Sequence, residues 1–304
     1  MKKGELKLEM KVLFENFRKF VNEEEQAEMG ARLDTEYPQF VQWLGSNIKD
    51  AKTQALIGAG LKDGDDDEDK FTFKENTPIL VSKLKPTQDE IDIDKSLAFP
   101  LVKTGGEKFI EYVSSDGPFK LGAPIVTFMG KYVIDGHHRW SQLYACNKNA
   151  SIVAVDVSIQ GVEPLDALKA VQMAIGLQAK KIPMQSVKGT NLLKISKSQL
   201  GGWIKKNVPA ETYNAIATND AVKNLLIKGL AINEANQMEM KMIQGALIKF
   251  IGSNVASMRK TSQPVPGAGP RDYMPQTDNI PWRKPLEVGK IDIKPPHASR
   301  KAAE

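Results

Sequence analysis

The apolar positions change period twice along the chain. From about Leu6 to Leu61, Leu13, Phe14, Phe17, Phe20 and Val21 recur at three-to-four spacing, as do Phe40, Val41, Trp43 and Leu44. That spacing predicts helices with one buried face. Past residue 70 the repeat shortens. FTFK, PILVSKL, APIVTFM, KYVID and SIVAVDVSI are brief, rich in Val, Ile, Phe and Thr, and separated by Gly or Pro, which is the pattern of strands. Helical stretches lie between them, notably Arg139 to Cys146 and Pro164 to Gly176. From Asn191 to about Met258 the helical period returns, broken by Gly, Pro or Asn. No internal repeat is present.

The expected fold class is therefore α+β. A helical N-terminal segment (1–62) leads into an acidic linker (63–70), a mixed α/β domain (71–180), a helical region (188–260) and a Pro/Gly-rich tail (261–304). The linker, DGDDDEDK, lacks the alternate-position ligands and closing glutamate of an EF-hand, so it reads as a solvated, self-repelling run. The tail contains SQPVPGAGPRDYMPQTDNIPWRKP, where proline and glycine are dense enough to predict extended backbone. Trp282 within it is expected to be loose or to anchor on another protein. Gly201-Gly202 reads as a helix break, since no Gly-Lys-Ser/Thr follows to make a phosphate loop. Met238, Met240 and Met242 read as core or as a partner-helix surface.

Composition narrows the function class without naming one. The 304 residues suffice for one or two domains, and 41% hydrophobic content excludes collagen, a disulfide scaffold and a wholly disordered chain. No run approaches the length of a membrane span, and the first 25 residues alternate charged and apolar groups, unlike a secretory leader. With a single cysteine, Cys146, a cytoplasmic location is expected, and Cys146 itself reads as a small buried apolar residue. Charge is uneven: residues 1–70 carry a net −5 and the remainder +10, with +7 in residues 188–260. An acidic head on a basic body suits a polyanionic ligand, either nucleotide or nucleic acid.

The chemistry concentrates in GKYVIDGHHRWSQLYACNK, Gly130 to Lys148, which holds two of the three histidines. A strand-like run, Tyr132 to Ile134, meets Asp135-Gly136, and a helical run begins near His137. Strand, glycine turn and helix start make an anion site, because the first helical N–H groups lack intrahelical partners and the dipole is positive there. Gly136 admits a ligand close to the backbone. His137, His138 and Arg139 add donors suited to phosphate oxygens. Asp135 can cap the helix, hold a metal ion on the phosphates or take a proton.

This segment resembles the second conserved box of the ParB/sulfiredoxin superfamily, in which a strand ends in a Gly-x-x-Arg turn that opens a helix. Gly136-His137-His138-Arg139-Trp140 stands where ParB proteins have G-E-R-R and an aromatic residue. His137 falls at the position of the sulfiredoxin cysteine, so sulfinic-acid repair is excluded. The D-G-H-H-R form is similar to the free serine kinases of the superfamily. Upstream, KLKPTQDEIDIDK, Lys83 to Lys95, resembles the first box, an L-x-P-x-Q/E segment after a strand. The resemblance covers about residues 76–160 and extends to phage-encoded ParB-like proteins.

The resemblance implies a nucleotide such as ATP, CTP or ADP with Mg2+. Gly136, His137, His138, Arg139 and Gln88 would hold the nucleotide, while Asp135, Glu90 and His138 would carry catalysis, with Asp135 also on the metal. Gln88 falls closest to the slot of the kinases' glutamate base, and Glu90 is the nearby carboxylate. The reaction implied is phosphoryl transfer or nucleotide hydrolysis. Two other readings stand beside it. One is a DNA-binding protein or nuclease using the basic 188–260 region. The other is a non-enzymatic assembly protein, as a homo-oligomer or with virion partners.

Overall fold

The computed structural model describes residues 24–25, 27–62, 68–184, 189–227 and 237–294. The expected apolar stripe from Leu13 to Val21, the aspartates 63–67 and the side chain of Met238 lie outside them. The architecture is mixed α+β, with one five-stranded sheet, as the change of period predicts. Among the described residues no helix is long and apolar enough to cross a membrane.

The chain forms two compact units. The first joins the described residues up to Thr72 with Ile159–Pro183 and the described residues from Pro275 onward. Its helix Tyr37–Asn47 has a proline in the first turn and buries Tyr37, Phe40, Val41 and Leu44. A second helix, Ala51–Ile57, is capped by Asp50, whose carboxylate accepts the Thr53 N–H. Helix Pro164–Ala179 packs on the first helix, and the absence of a side chain at Gly176 permits it: a Cβ there would lie 2.7 Å from Ile48 Cδ1. This helix therefore belongs with the N-terminal helices rather than with the expected 71–180 domain, because its apolar face meets theirs.

Two further expectations change in this unit. The stretch after Thr261 is not an extended tail. Trp282, Leu286, Ile291 and Ile293 are buried, and a short helix forms at Arg283–Glu287. Interleaved large apolar residues outweigh the proline and glycine content here. Asp69 is not part of a solvated linker either: it is fully buried, and its carboxylate accepts the N–H groups of Ile293 at 3.1 Å and Lys294 at 2.9 Å.

The second unit, Phe73–Ser158 with Met184–Met274, holds the sheet. Its strands are β1 (Thr72–Leu80), β2 (Lys85–Pro86), β3 (Ile125–Phe128), β4 (Tyr132–Asp135) and β5 (Ser151–Ser158), in the spatial order β1-β5-β3-β4-β2. β3 runs antiparallel to β4 and parallel to β5, while β2 pairs in parallel with β4, Lys85 opposite Tyr132 and Pro86 opposite Val133. Helix His137–Cys146 follows β4 directly. It buries Trp140, whose indole N–H donates to the Val81 carbonyl at 2.9 Å, and Cys146, whose thiol burial pushes up in pKa. The long helix Gln237–Thr261 packs along it, with Asn254 Nδ2 donating to the Ala145 carbonyl at 3.0 Å. Met240 packs against this core.

Gly201-Gly202 does not break a helix. Both lie within Lys197–Asn207, which a reciprocal Ser196/Gln199 capping box starts and buried Leu200 and Ile204 hold in place.

Candidate functional site

β4 ends at Asp135, and Gly136 turns the chain into the helix with φ +90°. A Cβ at Gly136 would lie 2.6 Å from Ile125 Cγ2, so only glycine fits both the dihedral and the space. Asp135 Oδ1 accepts the Gly136 N–H at 2.6 Å, and the Gly136 carbonyl accepts the Trp140 N–H as the first helical bond. Gly136 brings no capping side chain. The expected strand, glycine turn and helix start are thus present.

Parallel pairing of β2 with β4 carries the 85–92 segment alongside this turn. Thr87 is fully buried, and its hydroxyl donates to the Val133 carbonyl at 2.6 Å. Its N–H donates to His137 Nε2 at 3.1 Å. Five residues on, the Asp92 N–H donates to His138 Nε2 at 3.2 Å. Ser96 and Ser141 hydroxyls meet at 2.8 Å and continue the same seam. The two boxes that the sequence separates by about 45 residues are therefore joined, and the histidines join them.

The joint fixes their chemistry. A ring nitrogen that accepts an N–H carries no proton, so both imidazoles are neutral with their proton on Nδ1. Burial pushes both pKa values down to about 3; the Arg271 charge adds to this in each case, and a hydrogen bond with the Val133 backbone partly opposes it at His137. Through Nε2 both rings are acceptors committed to the backbone, because this interior excludes the charged form; the donor each ring keeps is Nδ1, and at His137 the Val133 backbone meets it.

Two further expected ligands also make hydrogen bonds within the chain. Gln88 is buried, and its amide donates back to the Glu90 carbonyl. Arg139 donates through Nη1 to the Ala123 carbonyl and, at 3.4 Å, to that of Pro124. Glu90 is half-buried in the same loop as Gln88. Asp135 stays at the turn, half-buried.

The residue that sequence reasoning missed is Arg271. The stretch Ser262–Met274 lies along the first-box segment: Val265 N–H donates to the Pro86 carbonyl at 3.0 Å, and Asp89 N–H to the Gly269 carbonyl at 3.2 Å. The sulfur of buried Met274 lies 3.7 Å from the Thr87 hydroxyl oxygen. Between these ties a 3-10 turn, Arg271–Tyr273, presents Arg271, whose charge interacts with those of Asp92, Asp135 and Asp272. The charges of Arg271, Asp92, Asp135, Asp272 and Lys95 thus act on one another beside two neutral imidazoles. No local pattern around Arg271 marks it, since its role depends on pairing across nearly 200 residues.

Among the described residues no group of three His, Cys, Asp or Glu side chains is arranged to hold a metal ion. A divalent ion here would take one carboxylate from Asp135 and most of its ligands from elsewhere. Comparison with protein-family models, with curated proteins and with solved structures finds no match for this chain.

Proposed function

We propose that this chain is a nucleotide-binding protein of the ParB/sulfiredoxin type whose ligand places its phosphates at the Gly136 turn. The observation that carries the reading is the left-handed Gly136 between β4 and helix His137–Cys146, with the first-box segment paired beside it. Backbone N–H groups and the positive end of the helix dipole favour an anion at such a turn. The imidazoles contribute rigidity, holding the two boxes in register so that the turn is preorganised. In this reading Asp135, at the turn, would hold Mg2+ on the phosphates or orient an attacking hydroxyl or water. Glu90 is a second carboxylate in the adjoining loop. Phosphoryl transfer or nucleotide hydrolysis is the reaction class that these groups support.

A melting-temperature panel of ATP, ADP, CTP and GTP with Mg2+ tests the reading on wild type and on Asp135→Ala. A nucleotide at 100 times its dissociation constant stabilises the fold by about 2.7 kcal/mol. One nucleotide should raise the wild-type midpoint and lose most of that effect in the variant. No shift with any nucleotide at millimolar concentration sinks the reading. In that event the exposed Lys194, Lys197, Lys205 and Lys206 favour the DNA-binding alternative, whose signature is affinity that falls steeply with salt.

A further inference from the structure

We propose that the second unit holds a separate binding site, for a long-chain carboxylate, in the cavity between the end of helix Asp220–Leu226 and the middle of helix Gln237–Thr261. The cavity has a volume of about 530 Å3, within the range of small-molecule sites. Met242, Gly245, Ala246, Lys249 and Ser253 follow one another at three-to-four spacing, so one face of the long helix makes a wall. Leu226 and buried Ile227 contribute to the rest. Phe250 completes the lining, and its ring is braced edge-on by Phe109 at 6.2 Å. The cavity shares no residue with the Gly136 turn and does not rest on the nucleotide reading.

Gly245 shows that this space is kept open. Glycine weakens a helix interior, and a close neighbour commonly explains it, as Ile48 does at Gly176. At Gly245 a Cβ would meet no described atom within 4 Å, so a side chain there would enter the cavity. The remaining lining says what fits. It is mainly apolar: Leu225 stays 38% exposed, and Met242 brings a pliable thioether that adapts to an apolar guest. Among the described residues Lys249 is the only charged group in the wall, and it is exposed. Ser253, also exposed, lies one turn further along the same face and offers a hydroxyl to the same anion. An apolar chain ending in one carboxylate meets both demands. Its body takes Leu225, Met242 and Phe250 out of water, and its head pairs with the lysine. A second copy packed through the same face would instead bring like charges together.

The test measures equilibrium binding of dodecanoate, below its micellar concentration, to the full-length chain, with dodecanol and acetate as probes of the tail and head alone. The proteins are wild type, Gly245→Leu, Lys249→Gln and Lys205→Ala, each with its melting temperature. Lys205 is an exposed cation on helix Lys197–Asn207, outside the cavity, and serves as the control. Wild type should bind dodecanoate, dodecanol more weakly and acetate not at all. Gly245→Leu, which fills the space while favouring the helix, should weaken dodecanoate by at least about fivefold without lowering the melting temperature. Lys249→Gln should weaken dodecanoate by a similar factor and leave dodecanol within about twofold. Lys205→Ala should stay within about twofold for both. A smaller loss in Gly245→Leu overturns the proposal, as does dodecanol binding as tightly as dodecanoate. Failure of wild type to bind dodecanoate also overturns it, and dimers in sedimentation that Gly245→Leu dissolves would then give the cavity to a second copy. Should Gly245→Leu fail to fold, Lys249→Gln decides: unchanged affinity for dodecanoate overturns the proposal, and a loss confined to the carboxylate probe supports it.

Discussion

Each compact unit contains a buried clasp in which an ionisable side chain accepts backbone N–H groups from a distant stretch of chain. In one unit Asp69 takes the amides of Ile293 and Lys294. In the other, His137 and His138 take those of Thr87 and Asp92. The geometry is alike, but the chemical type differs. A carboxylate oxygen accepts through its lone pairs, whereas an imidazole accepts at Nε2 only when that nitrogen carries no proton. The pair shows that a carboxylate and an imidazole can each join distant segments, and that the imidazole joint is lost when the ring is protonated.

The sharpest way to break the comparison is to remove the carboxylate clasp. Asp69→Ala leaves the Ile293 and Lys294 N–H groups without their acceptor, and two unsatisfied donors at roughly 1–3 kcal/mol each predict a loss of about 2–6 kcal/mol. Hydrogen exchange should show lost protection at Ile293 and Lys294 while Thr87 and Asp92 keep theirs. Equal loss at both places would mean that the clasps are not independent.

Mild acid should do the reverse. The histidine pKa values are depressed in the fold to about 3 from an ordinary 6.5, so the unfolded chain binds more protons between those limits. The stabilising effect of the neutral imidazoles is complete above pH 6.5 and falls as pH drops toward 3. For the pair the loss is about 3 kcal/mol between pH 7.5 and 5.5. Urea unfolding at the two pH values measures it, and His137→Gln with His138→Gln should flatten the slope. An unchanged slope in that double variant would assign the acid sensitivity to other groups.

The smallest effect sharpens the picture of the histidine clasp. Thr87→Val keeps the shape and the donating N–H but deletes the hydroxyl that reaches the Val133 carbonyl and the Met274 sulfur. A loss of about 1 kcal/mol in denaturant unfolding is expected, with faster proteolysis of the Ser262–Met274 strap. A strap as resistant as in wild type would show that the Val265 and Gly269 ties suffice.

The histidine clasp also marks how far the sequence could be read. The period change near residue 71 located the sheet, and KYVID followed by D-G-H-H-R located β4, the turn and its helix to within two residues. Residue type showed that His137 and His138 matter, but not that they face inward as acceptors, because that depends on which backbone amides the β2–β4 pairing brings beside them. The bonds of Gln88 and Arg139 to nearby carbonyls were hidden for the same reason. Beyond Thr261 the proline and glycine content hid a buried cluster around Trp282 and a strap carrying Arg271. Local composition measures how readily backbone extends, not whether the apolar residues spaced along it find a surface.

The order of the sheet has one more consequence. Its outer strands are β1 and β2, and neither offers a long, regular ladder to a neighbouring molecule. β2 is two residues long, and β1 carries Lys74, Glu75 and Pro78 with Asn76 at φ +49°. Charge, a missing donor and a backbone kink discourage an incoming strand, as edge strands in soluble proteins commonly do. The sheet is thus guarded against fibrillar growth, and copies of this chain that associate would do so through side chains rather than by extending the sheet.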